Sequence, residues 1–309
     1  MSNHAEAIGL PLKHVVAPLT GGLGNQLFQA VHAQVIFAEN IAKGTLLFDK
    51  SWLEIHAKNA HERIHPQFGA CLPAAVENKP APRRSVLQKL RLCTGLQRKA
   101  IETRLPSGLR YELKMSYKPR EQTGWVNELF MDGDVILEPA AQAFLKKLKE
   151  QTVLKPAYAE LQHRLRASGD FATLHVRRGD YLKAASFMPT MAYYQRALEM
   201  IERLSPGVDI WIHSDDIAWC KSQPLFQRKN CHFLDLGSEA DALQEMLVLG
   251  EARYVIMANS TFSWWISAFA RVCQPSYCQS FMPSRWFGVD TKGRTHDFHR
   301  SDIVALRAW

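Results

Sequence analysis

The sequence predicts an α/β protein built from two domains. The chain has 309 residues, and a typical domain has ~150 residues. Short apolar runs alternate with helical patterns in both halves of the chain. Runs of this kind are typical of buried parallel strands that helices cover on each side. We therefore expect an N-terminal domain over residues 1–155 and a C-terminal domain over residues 156–309.

The composition excludes several classes of protein. Apolar residues make up 47% of the chain and charged residues 22%, which excludes collagen, a coiled coil and wholesale disorder. The net charge of +8 fits an anionic small molecule, an acidic membrane surface or nucleic acid without choosing among them. No cysteine pair has CxxC spacing, and the N-terminus lacks the pattern of a signal peptide. We therefore expect reduced thiols and a cytoplasmic location.

The N-terminal domain opens with a strand, a glycine turn and a helix. Residues 15–19 and 45–49 are short apolar runs with a helical pattern between them, which predicts a βαβ unit. Gly22 and Gly24 in the turn let a ligand approach the backbone, and the helix start at Asn25 offers N–H groups to it. A tight turn capped by Asn25 is the alternative, because the third glycine of a dinucleotide-binding turn is absent.

Further strands and helices follow along the chain. Residues 125–139 predict two strands around the Asp-Gly turn at 132–134, which favours a hairpin over a metal-binding DxD motif. The remaining helices are expected near 140–150, 156–167, 190–204, 239–250 and 262–271, and the remaining strands at 171–176, 209–214, 231–236 and 254–258. This alternation in the C-terminal half predicts a parallel sheet covered on both faces.

Two adjacent arginines follow the strand at 171–176, in the motif HVRRGDY. Ligands of open α/β sheets bind outside the carboxyl ends of the strands. A guanidinium group at such a place binds a carboxylate or a phosphate, often through two parallel hydrogen bonds. Neighbouring strand residues point to opposite faces, so we expect one of Arg177 and Arg178 to meet a ligand. The other should pair with Asp180 or another internal acid.

Two more motifs follow strand ends in the C-terminal half. In IHSDD, one of Asp215 and Asp216 should cap a helix and the other could accept hydrogen bonds from a base or a ribose; a cap alone is the alternative. In NSTFSWW, the hydroxyls of Ser260, Thr261 and Ser263 precede or begin a helix. Together with the first amides of that helix they predict a phosphate-binding turn that needs no metal.

One pattern favours a zinc site. His61, Glu62 and His65 form an HExxH sequence, which on a helix binds zinc and supplies a general base. However, Pro66 follows directly and disfavours helical geometry at the residue before it. A zinc hydrolase is therefore retained only as an alternative.

The basic segment, defined here as residues 83–99, contains apolar residues at helical spacing beside a cationic face. It is either a solvated helix face or a membrane-surface helix that contacts anionic lipid. A nucleic-acid-binding surface is a third interpretation, but no aromatic platform accompanies the segment. We therefore expect no nucleic-acid partner.

Four motifs in a fixed order carry a resemblance to a known family. GGLGNQLFQA, HVRRGDY, IHSDD and ANSTFSWW resemble the motifs of the bacterial α-1,2-fucosyltransferases (glycosyltransferase family 11), which are related to the animal blood-group H transferases. The resemblance implies a GT-B-like fold, in which two Rossmann-type domains face each other across a cleft. It further implies GDP-β-L-fucose as the donor, the 2-hydroxyl of a galactose as the acceptor, inversion at the sugar carbon, and no obligatory metal or other cofactor. The HxRR pattern is shared with α-1,6- and protein O-fucosyltransferases.

The resemblance is weaker outside these motifs. Bacterial members often carry a Gly-Tyr-x-Gln-Ser stretch where this chain has TGWVNEL at 123–129. This departure bears on the acceptor, which we expect on the N-terminal domain, opposite the donor on the C-terminal domain. In the α-1,6 branch a glutamate shortly after HxRR is regarded as the base, and the stretch LKAASFMP has no acid. That assignment therefore does not carry over.

With this resemblance, each candidate residue receives a role. Arg177 should bind the β-phosphate and Arg178 should be structural. Asp180 is the candidate base, with His32 and Asp49 as alternatives. The remaining assignments are His175 with Asp215 or Asp216 around the guanine, Asn259, Ser260, Thr261, Phe262 and Ser263 at the diphosphate and ribose, and Asn25 with Gly22 and Gly24 toward the fucosyl group.

Other functions remain as alternatives. They are a fucosyltransferase of another linkage, a binder of nucleotide sugars without turnover, and the zinc hydrolase described above. A galactose-containing oligosaccharide or glycolipid is the expected acceptor, and the basic segment would then contact the inner membrane where such a glycolipid is built.

Overall fold

A computed structural model describes most of the chain. The described residues are 14–40, 45–55, 63–72, 100–104, 110–115, 123–126, 132–273, 278–286, 298–300 and 302–308. The chain divides into two units, Met1–Leu148 and Lys149–Trp309. Each unit has one sheet among its described residues, and we describe each unit by itself.

The N-terminal unit contains a mixed sheet. Its strands and helices are β1 (His14–Pro18), α1 (Leu23–Asn40), β2 (Thr45–Asp49), α2 (Ser51–Ile55), α3 (Pro66–Cys71), β3 (Ala100–Arg104), β4 (Arg110–Met115) and β5 (Thr123–Val126). The order in the sheet is β2-β1-β5-β4-β3. β1 pairs in parallel with β2 and β5, whereas β4 pairs antiparallel with its two neighbours. The predicted βαβ unit of β1, α1 and β2 is confirmed.

α1 forms because its apolar residues recur at helical spacing and bury one face. Leu27, Phe28 and Val31 are fully buried, as expected for the packed side of an amphipathic helix. The turn before α1 uses Gly21 with φ of +70°, a left-handed conformation that glycine adopts without steric cost.

The predicted hairpin around the Asp-Gly turn is wrong. A 3-10 helix spans Gly133–Leu137, and the Asp132 side chain caps it by accepting a hydrogen bond from the N–H of Asp134 over 3.0 Å. α4 (Pro139–Gln151) then begins at the proline. The side chain of an aspartate can accept a hydrogen bond from the backbone N–H two residues later in the chain. Here that local hydrogen bond begins a helical turn instead of a hairpin.

The C-terminal unit is a parallel α/β sandwich. After α4 come α5 (Pro156–Ser168), β6 (Phe171–Val176), α6 (Met191–Leu204), β7 (Asp209–Ser214), α7 (Ile217–Ser222), β8 (Cys231–Phe233), α8 (Ala242–Leu249), β9 (Tyr254–Ile256), α9 (Thr261–Cys273), β10 (Gln279–Pro283) and β11 (Ile303–Leu306). The six strands have the order β11-β10-β9-β6-β7-β8, and every pair is parallel. The predicted α/β class with a parallel sheet is confirmed.

This strand order is that of a Rossmann fold. The chain starts at the centre with β6, runs outward to β8, and returns to the other side of β6 with β9. In such sheets ligands bind where the order reverses, outside the carboxyl ends of the two central strands. The fold therefore marks the ends of β6 and β9 as the place for a site.

The helices pack closely on the central strands of the sheet. β6 is buried along its whole length, and Tyr193 and Ala197 of α6 lie in the same apolar cluster as Leu174 of β6. α8 ends at Gly250, where an added Cβ would lie 2.6 Å from the Cβ of Phe269. Glycine at that position lets α8 and α9 approach closely, which holds the start of α9 against the sheet.

Candidate active site

Three of the four sequence motifs meet at one edge of the C-terminal sheet. Arg177 and Arg178 follow β6, Asp215 and Asp216 follow β7, and the serine turn, defined as Asn259–Ser263, follows β9 and begins α9. β7 and β9 are the two neighbours of β6 and run parallel to it. Their carboxyl ends therefore lie side by side, and the motifs that they carry form one site.

Arg177 is held between two carboxylates. Its Nε donates to Oδ1 of Asp180 over 3.0 Å, and its Nη2 lies 2.8 Å from the same oxygen. Its Nη1 lies 3.0 Å from Oδ2 of Asp215. The side chain of Arg177 remains 32% exposed and that of Asp180 is 66% exposed. The edge of the guanidinium formed by Nε and Nη2 therefore faces an anion that solvent also reaches.

Arg178 points to a different environment. Its Nε donates to Oδ2 of Asp216 over 2.9 Å, and its guanidinium carbon lies 3.9 Å from the ring centre of Trp219. The hydrogen bond from Arg178 holds the pKa of Asp216 below its usual value. The other oxygen of Asp216 caps α7 by accepting from the N–H of Trp219 over 3.1 Å. Arg178 therefore fastens α7 to the end of β6.

Two expectations about these acids need correction. We expected one arginine to pair with an acid, and both do. Asp180 pairs with Arg177 instead of Arg178, because Arg178 already meets Asp216 at the end of the neighbouring strand. The register of β6 with β7 decides this pairing, and a single sequence does not give that register.

Gly179 allows the Asp215 carboxylate to approach the backbone. Oδ1 of Asp215 accepts a hydrogen bond from the N–H of Arg178 over 2.8 Å. A Cβ on Gly179 would lie 2.6 Å from Oδ2 of the same carboxylate. The glycine of HVRRGDY is therefore required by the close contact between the residues after β6 and those after β7.

A pair of buried histidines lies beneath the serine turn. The rings of His175 and His213 are stacked with 4.6 Å between their centres, and the Phe262 ring centre lies 5.4 Å from that of His175. Burial, with further contributions from His213 and Arg177, lowers the pKa of His175 well below its usual range. His213 places its Nδ1 3.1 Å from Oε1 of Glu245. His175 is therefore neutral at physiological pH.

The serine turn is shaped by its own hydroxyls. The Ser260 hydroxyl accepts from the N–H of Phe262 over 3.3 Å. The Ser263 hydroxyl is fully buried and lies within hydrogen-bond distance of the carbonyls of Ala258 and Ser260. Both hydroxyls fix the start of α9, so the ligand-facing groups of this turn are expected among its backbone amides and Thr261.

One residue of the site was not predicted from the sequence. The Tyr181 hydroxyl donates to the carbonyl of Asn259 over 2.6 Å, and its ring centre lies 5.8 Å from the guanidinium carbon of Arg177. Tyr181 is the last residue of HVRRGDY, so the motif contained it. Its partner lies far away in the chain, and only the pairing of β6 with β9 brings the two together.

The remaining candidate residues lie in the N-terminal unit. Gly22, Gly24 and Asn25 are at the start of α1, and a Cβ on Gly21 would lie 2.7 Å from Nδ2 of Asn25. The Nε2 of Gln26 donates to the carbonyl of Gly21 over 2.8 Å. The glycine turn therefore packs closely on the first helical turn.

The alternative bases also lie in that unit. His32 uses both ring nitrogens: Nδ1 lies 3.0 Å from the carbonyl of Phe28, and Nε2 accepts from the N–H of Asp132 over 3.2 Å. Burial lowers the pKa of His32 to about 4. This histidine fastens α1 to the segment after β5. Asp49 ends β2, and its carbonyl accepts from the N–H of Leu19 over 2.8 Å.

Of the zinc pattern, the described residues include His65, and they include none of the basic segment. His65 has an extended backbone, with ψ of 130°, and precedes α3, which begins at Pro66. His61, Glu62 and the basic segment lie outside the described residues. Within the described ranges, no three His, Cys, Asp or Glu side chains are grouped as metal ligands. None of the helices in those ranges is both long and apolar enough to cross a membrane.

The sequence matches a known family model over part of its length. Residues 142–272 match the model for glycosyl transferase family 11. Over 302 residues the chain is 24% identical to the O-antigen biosynthesis glycosyltransferase WbnK of Escherichia coli, covering 89% of this chain and 96% of that one. Over 100 residues it is 30% identical to an alpha-1,2-colitosyltransferase of Escherichia coli, covering 30% of this chain and 34% of the relative.

A third relative comes from an animal. The chain is 26% identical over 170 residues to galactoside alpha-(1,2)-fucosyltransferase 1 of Leontocebus fuscicollis, covering 47% of each. These matches make the chain similar to glycosyltransferases, over residues 142–272 for the family model and over most of its length, at low identity, for WbnK. The resemblance to glycosyltransferase family 11 that the four motifs predicted is confirmed.

Proposed function

We propose that this protein transfers L-fucose from GDP-β-L-fucose to the 2-hydroxyl of a galactose, with inversion, in an oligosaccharide or glycolipid. The observation that carries this proposal is the position of Arg177 beside the serine turn, outside the ends of β6 and β9. An arginine and a helix N-terminus together provide the positive potential that a diphosphate leaving group requires.

Arg177 would stabilise the departing GDP. The edge formed by its Nε and Nη2 meets a single oxygen of Asp180, and a phosphate can take the same edge through two parallel hydrogen bonds. When the bond between the sugar carbon and the β-phosphate oxygen breaks, the electron pair stays on that oxygen. The guanidinium then meets the charge that develops there.

Asp180 would serve as the base. Once a phosphate holds Arg177, the exposed carboxylate is available to the acceptor. The galactose hydroxyl attacks the sugar carbon from the face opposite to GDP, and its proton moves to Asp180. Asp215 continues to hold the Nη1 side of Arg177 throughout. Binding of the fucosyl group by Asn25, Gly22 and Gly24, and binding of the acceptor by the N-terminal unit, stay predictions from the resemblance.

The nucleotide base would bind near Phe262 and His175. We expected Asp215 or Asp216 at the guanine, but both carboxylates bind arginines or backbone amides. We therefore assign them to the positioning of Arg177 and Arg178. A neutral His175 beneath Phe262 suits a base that stacks and forms hydrogen bonds without charge.

A second donor is favoured by one observation. The match to the alpha-1,2-colitosyltransferase covers 100 residues at 30% identity, so a colitosyl donor is the alternative to a fucosyl donor. That relative and the animal one are both named for an α-1,2 linkage. A fucosyltransferase of another linkage is the remaining alternative.

A donor screen tests the proposal. Thermal shifts with GDP, UDP and ADP at equal concentration should rank GDP first, because binding to the folded state alone raises stability with affinity. Turnover with GDP-fucose and a galactoside should then give a product whose linkage and anomeric configuration are read by NMR. A preference for UDP or ADP would contradict the proposal, and turnover only with a colitosyl donor would favour the alternative.

We also propose that turnover needs no metal, since Arg177 can supply the charge at the leaving group. Activity should then survive EDTA. Loss of turnover with EDTA and its recovery with Mg²⁺ or Mn²⁺ would show that the arginine is insufficient. Metal analysis of the purified protein separately tests the zinc hydrolase, which requires stoichiometric zinc.

Finally, we propose a cytoplasmic protein that binds anionic membrane surfaces through the basic segment, residues 83–99. Each basic residue near such a surface is worth ~1 kcal/mol. Anionic vesicles should retain the protein at low salt and release it at ~0.5 M salt, where the Debye length is a few Å. Equal binding to neutral vesicles would contradict this contact.

A further inference from the structure

Tyr181 contacts two parts of the candidate site at once. Its hydroxyl donates to the carbonyl of Asn259 over 2.6 Å, and its ring lies beside Arg177, 5.8 Å from the guanidinium carbon. Asn259 begins the serine turn after β9, whereas Arg177 follows β6. One side chain therefore spans the point where the strand order reverses.

The hydroxyl of Tyr181 is a dependable donor. Burial raises the pKa of Tyr181 to about 12, so the phenol keeps its proton across the pH range in which proteins work. Asn259 precedes Thr261, the first residue of α9, by two positions. The first helical hydrogen bond runs from the N–H of Trp264 to the carbonyl of Ser260, so the carbonyl of Asn259 lies outside the helical pattern. The contact therefore fixes the turn at its first residue, before the helical hydrogen bonds begin.

The ring of Tyr181 has a separate role. A guanidinium within ~6 Å of an aromatic ring centre is attracted by the ring. The acids Asp180 and Asp215 hold the polar edges of Arg177, and the aromatic ring adds a contact that a phosphate would not displace. The support from Tyr181 therefore remains when the Nε and Nη2 edge changes its partner.

We propose that Tyr181 is a positioning residue that sets the distance between Arg177 and the serine turn, and thereby the fit of a nucleoside diphosphate between them. The identity of that ligand rests on the proposed function. The hydroxyl positions the turn and the ring positions the arginine, so the two effects can be separated by substitution.

Two variants separate these effects. Tyr181→Phe keeps the ring and removes the hydroxyl, so the turn should loosen. Amide exchange at residues 260–264 should become faster, and the Kd for GDP should rise about 3- to 10-fold, the range expected for one hydrogen bond. The kcat at saturating donor should change less than about twofold, because Arg177 keeps its support. Tyr181→Leu should raise the Kd and also lower kcat.

Tyr158→Phe is the matched control. The Tyr158 hydroxyl also meets the backbone, accepting from the N–H of Asp241 over 2.7 Å, but it contacts neither Arg177 nor the serine turn. Its removal should leave exchange at residues 260–264 and GDP affinity unchanged.

The exchange experiment needs no ligand and therefore judges Tyr181 by itself. Unchanged exchange in Tyr181→Phe would overturn the proposal, and so would an equal effect in Tyr158→Phe. Faster exchange with wild-type GDP affinity would also overturn it, because the turn would then not control the ligand. If the wild-type protein binds UDP or ADP in place of GDP, the proposed function fails, and the same comparison is made with the nucleoside diphosphate that binds.

Discussion

The residues that follow the first strand differ in charge between the two units. In the N-terminal unit, β1 leads into LTGGLGNQ, a stretch without a charged residue, and the turn approaches α1 through backbone and amide contacts. In the C-terminal unit, β6 leads into Arg177 and Arg178, which three aspartates hold. A neutral glycine turn suits close approach by an uncharged group, whereas paired arginines suit an anion. The contrast favours the C-terminal unit as the place where the proposed diphosphate binds.

Replacing Arg177 should give the largest effect and tests the charged side of this contrast directly. Arg177→Ala should lower kcat about 10²- to 10³-fold, or ~3–4 kcal/mol, the usual cost of one donor to a developing charge. Arg177→Lys should recover little, because an ammonium group cannot form the paired planar contact. Circular dichroism and the melting temperature should show a folded protein. Near-normal turnover in Arg177→Ala would move the catalytic charge elsewhere.

In the N-terminal unit, the buried side chain of His32 should make the stability of the protein depend on pH. The pKa of His32 is about 4 in the folded chain, against ~6.5 when unfolded. As the pH falls, the unfolded chain binds the proton at a higher pH than the folded chain does. The contribution of His32 to the free energy of unfolding is therefore fully present above pH 6.5 and is lost as the pH drops toward 4. The loss from His32 should reach ~3 kcal/mol, and His175 should add to it in the same direction.

Urea unfolding at pH 7 and pH 5 measures this loss for His32. In His32→Gln, an amide can donate to Phe28 and accept from Asp132 without titrating. The variant should therefore lose less stability between the two pH values than the wild type does. If His32→Gln loses as much free energy of unfolding between pH 7 and pH 5 as the wild type does, other groups cause the acid sensitivity.

Replacing Arg178 should lower the stability of the protein, whereas replacing Arg177 should lower its turnover. Arg178→Ala removes the hydrogen bond to Asp216 and the contact with the Trp219 ring. A hydrogen bond to a charged group is worth about 1.5–3 kcal/mol, so the free energy of unfolding should fall by roughly this amount. Turnover below the melting temperature should fall much less than in Arg177→Ala. Reversed phenotypes would exchange the roles of the two arginines.

Gly179 gives the smallest expected effect. Gly179→Ala places a Cβ 2.6 Å from Oδ2 of Asp215, so the carboxylate must move away from Arg177. The Kd for GDP should rise roughly tenfold, or ~1.4 kcal/mol, with little change in melting temperature. In an Arg177→Ala background the same substitution should add nothing to the Kd, because the guanidinium that Asp215 positions is already absent. Additive effects would mean that Gly179 acts on the ligand independently.

Local sequence patterns predicted many of the strands and helices of the C-terminal unit. The strands at 171–176 and 209–214 are found where they were predicted, because each is a short apolar run between polar turns. The motifs after these strands were both assigned to the donor, and the parallel pairing of β6 with β7 brings them to one edge of the sheet. Tyr158–Asp241 and Tyr181–Asn259 contacts were not predictable in this way, since each joins residues distant in the chain.

The N-terminal unit was harder to predict. Strands Ala100–Arg104 and Arg110–Met115 were not predicted, because several charged residues lie between their apolar positions. At 132–134 a turn signal was real, but Asp132 used it to start a helical turn. Turn chemistry fixes where a chain changes direction more reliably than it fixes the element that follows.

The order of the C-terminal strands also bears on how the site fails under heat. Within the C-terminal unit, β6–β8 and β9–β11 form two consecutive halves of the sheet. These halves pair along β6 and β9 over three residues of each strand, Ala172–Leu174 with Tyr254–Ile256. The pairing of β6 with β7 is twice as long, from Phe171 to Val176. Arg177 follows β6 in one half of this sheet, and the serine turn follows β9 in the other half. A small separation of the two halves would therefore disrupt the site, while the strands within each half stay paired. Thermal inactivation should therefore precede the loss of secondary structure, and ligands that touch both halves should delay it.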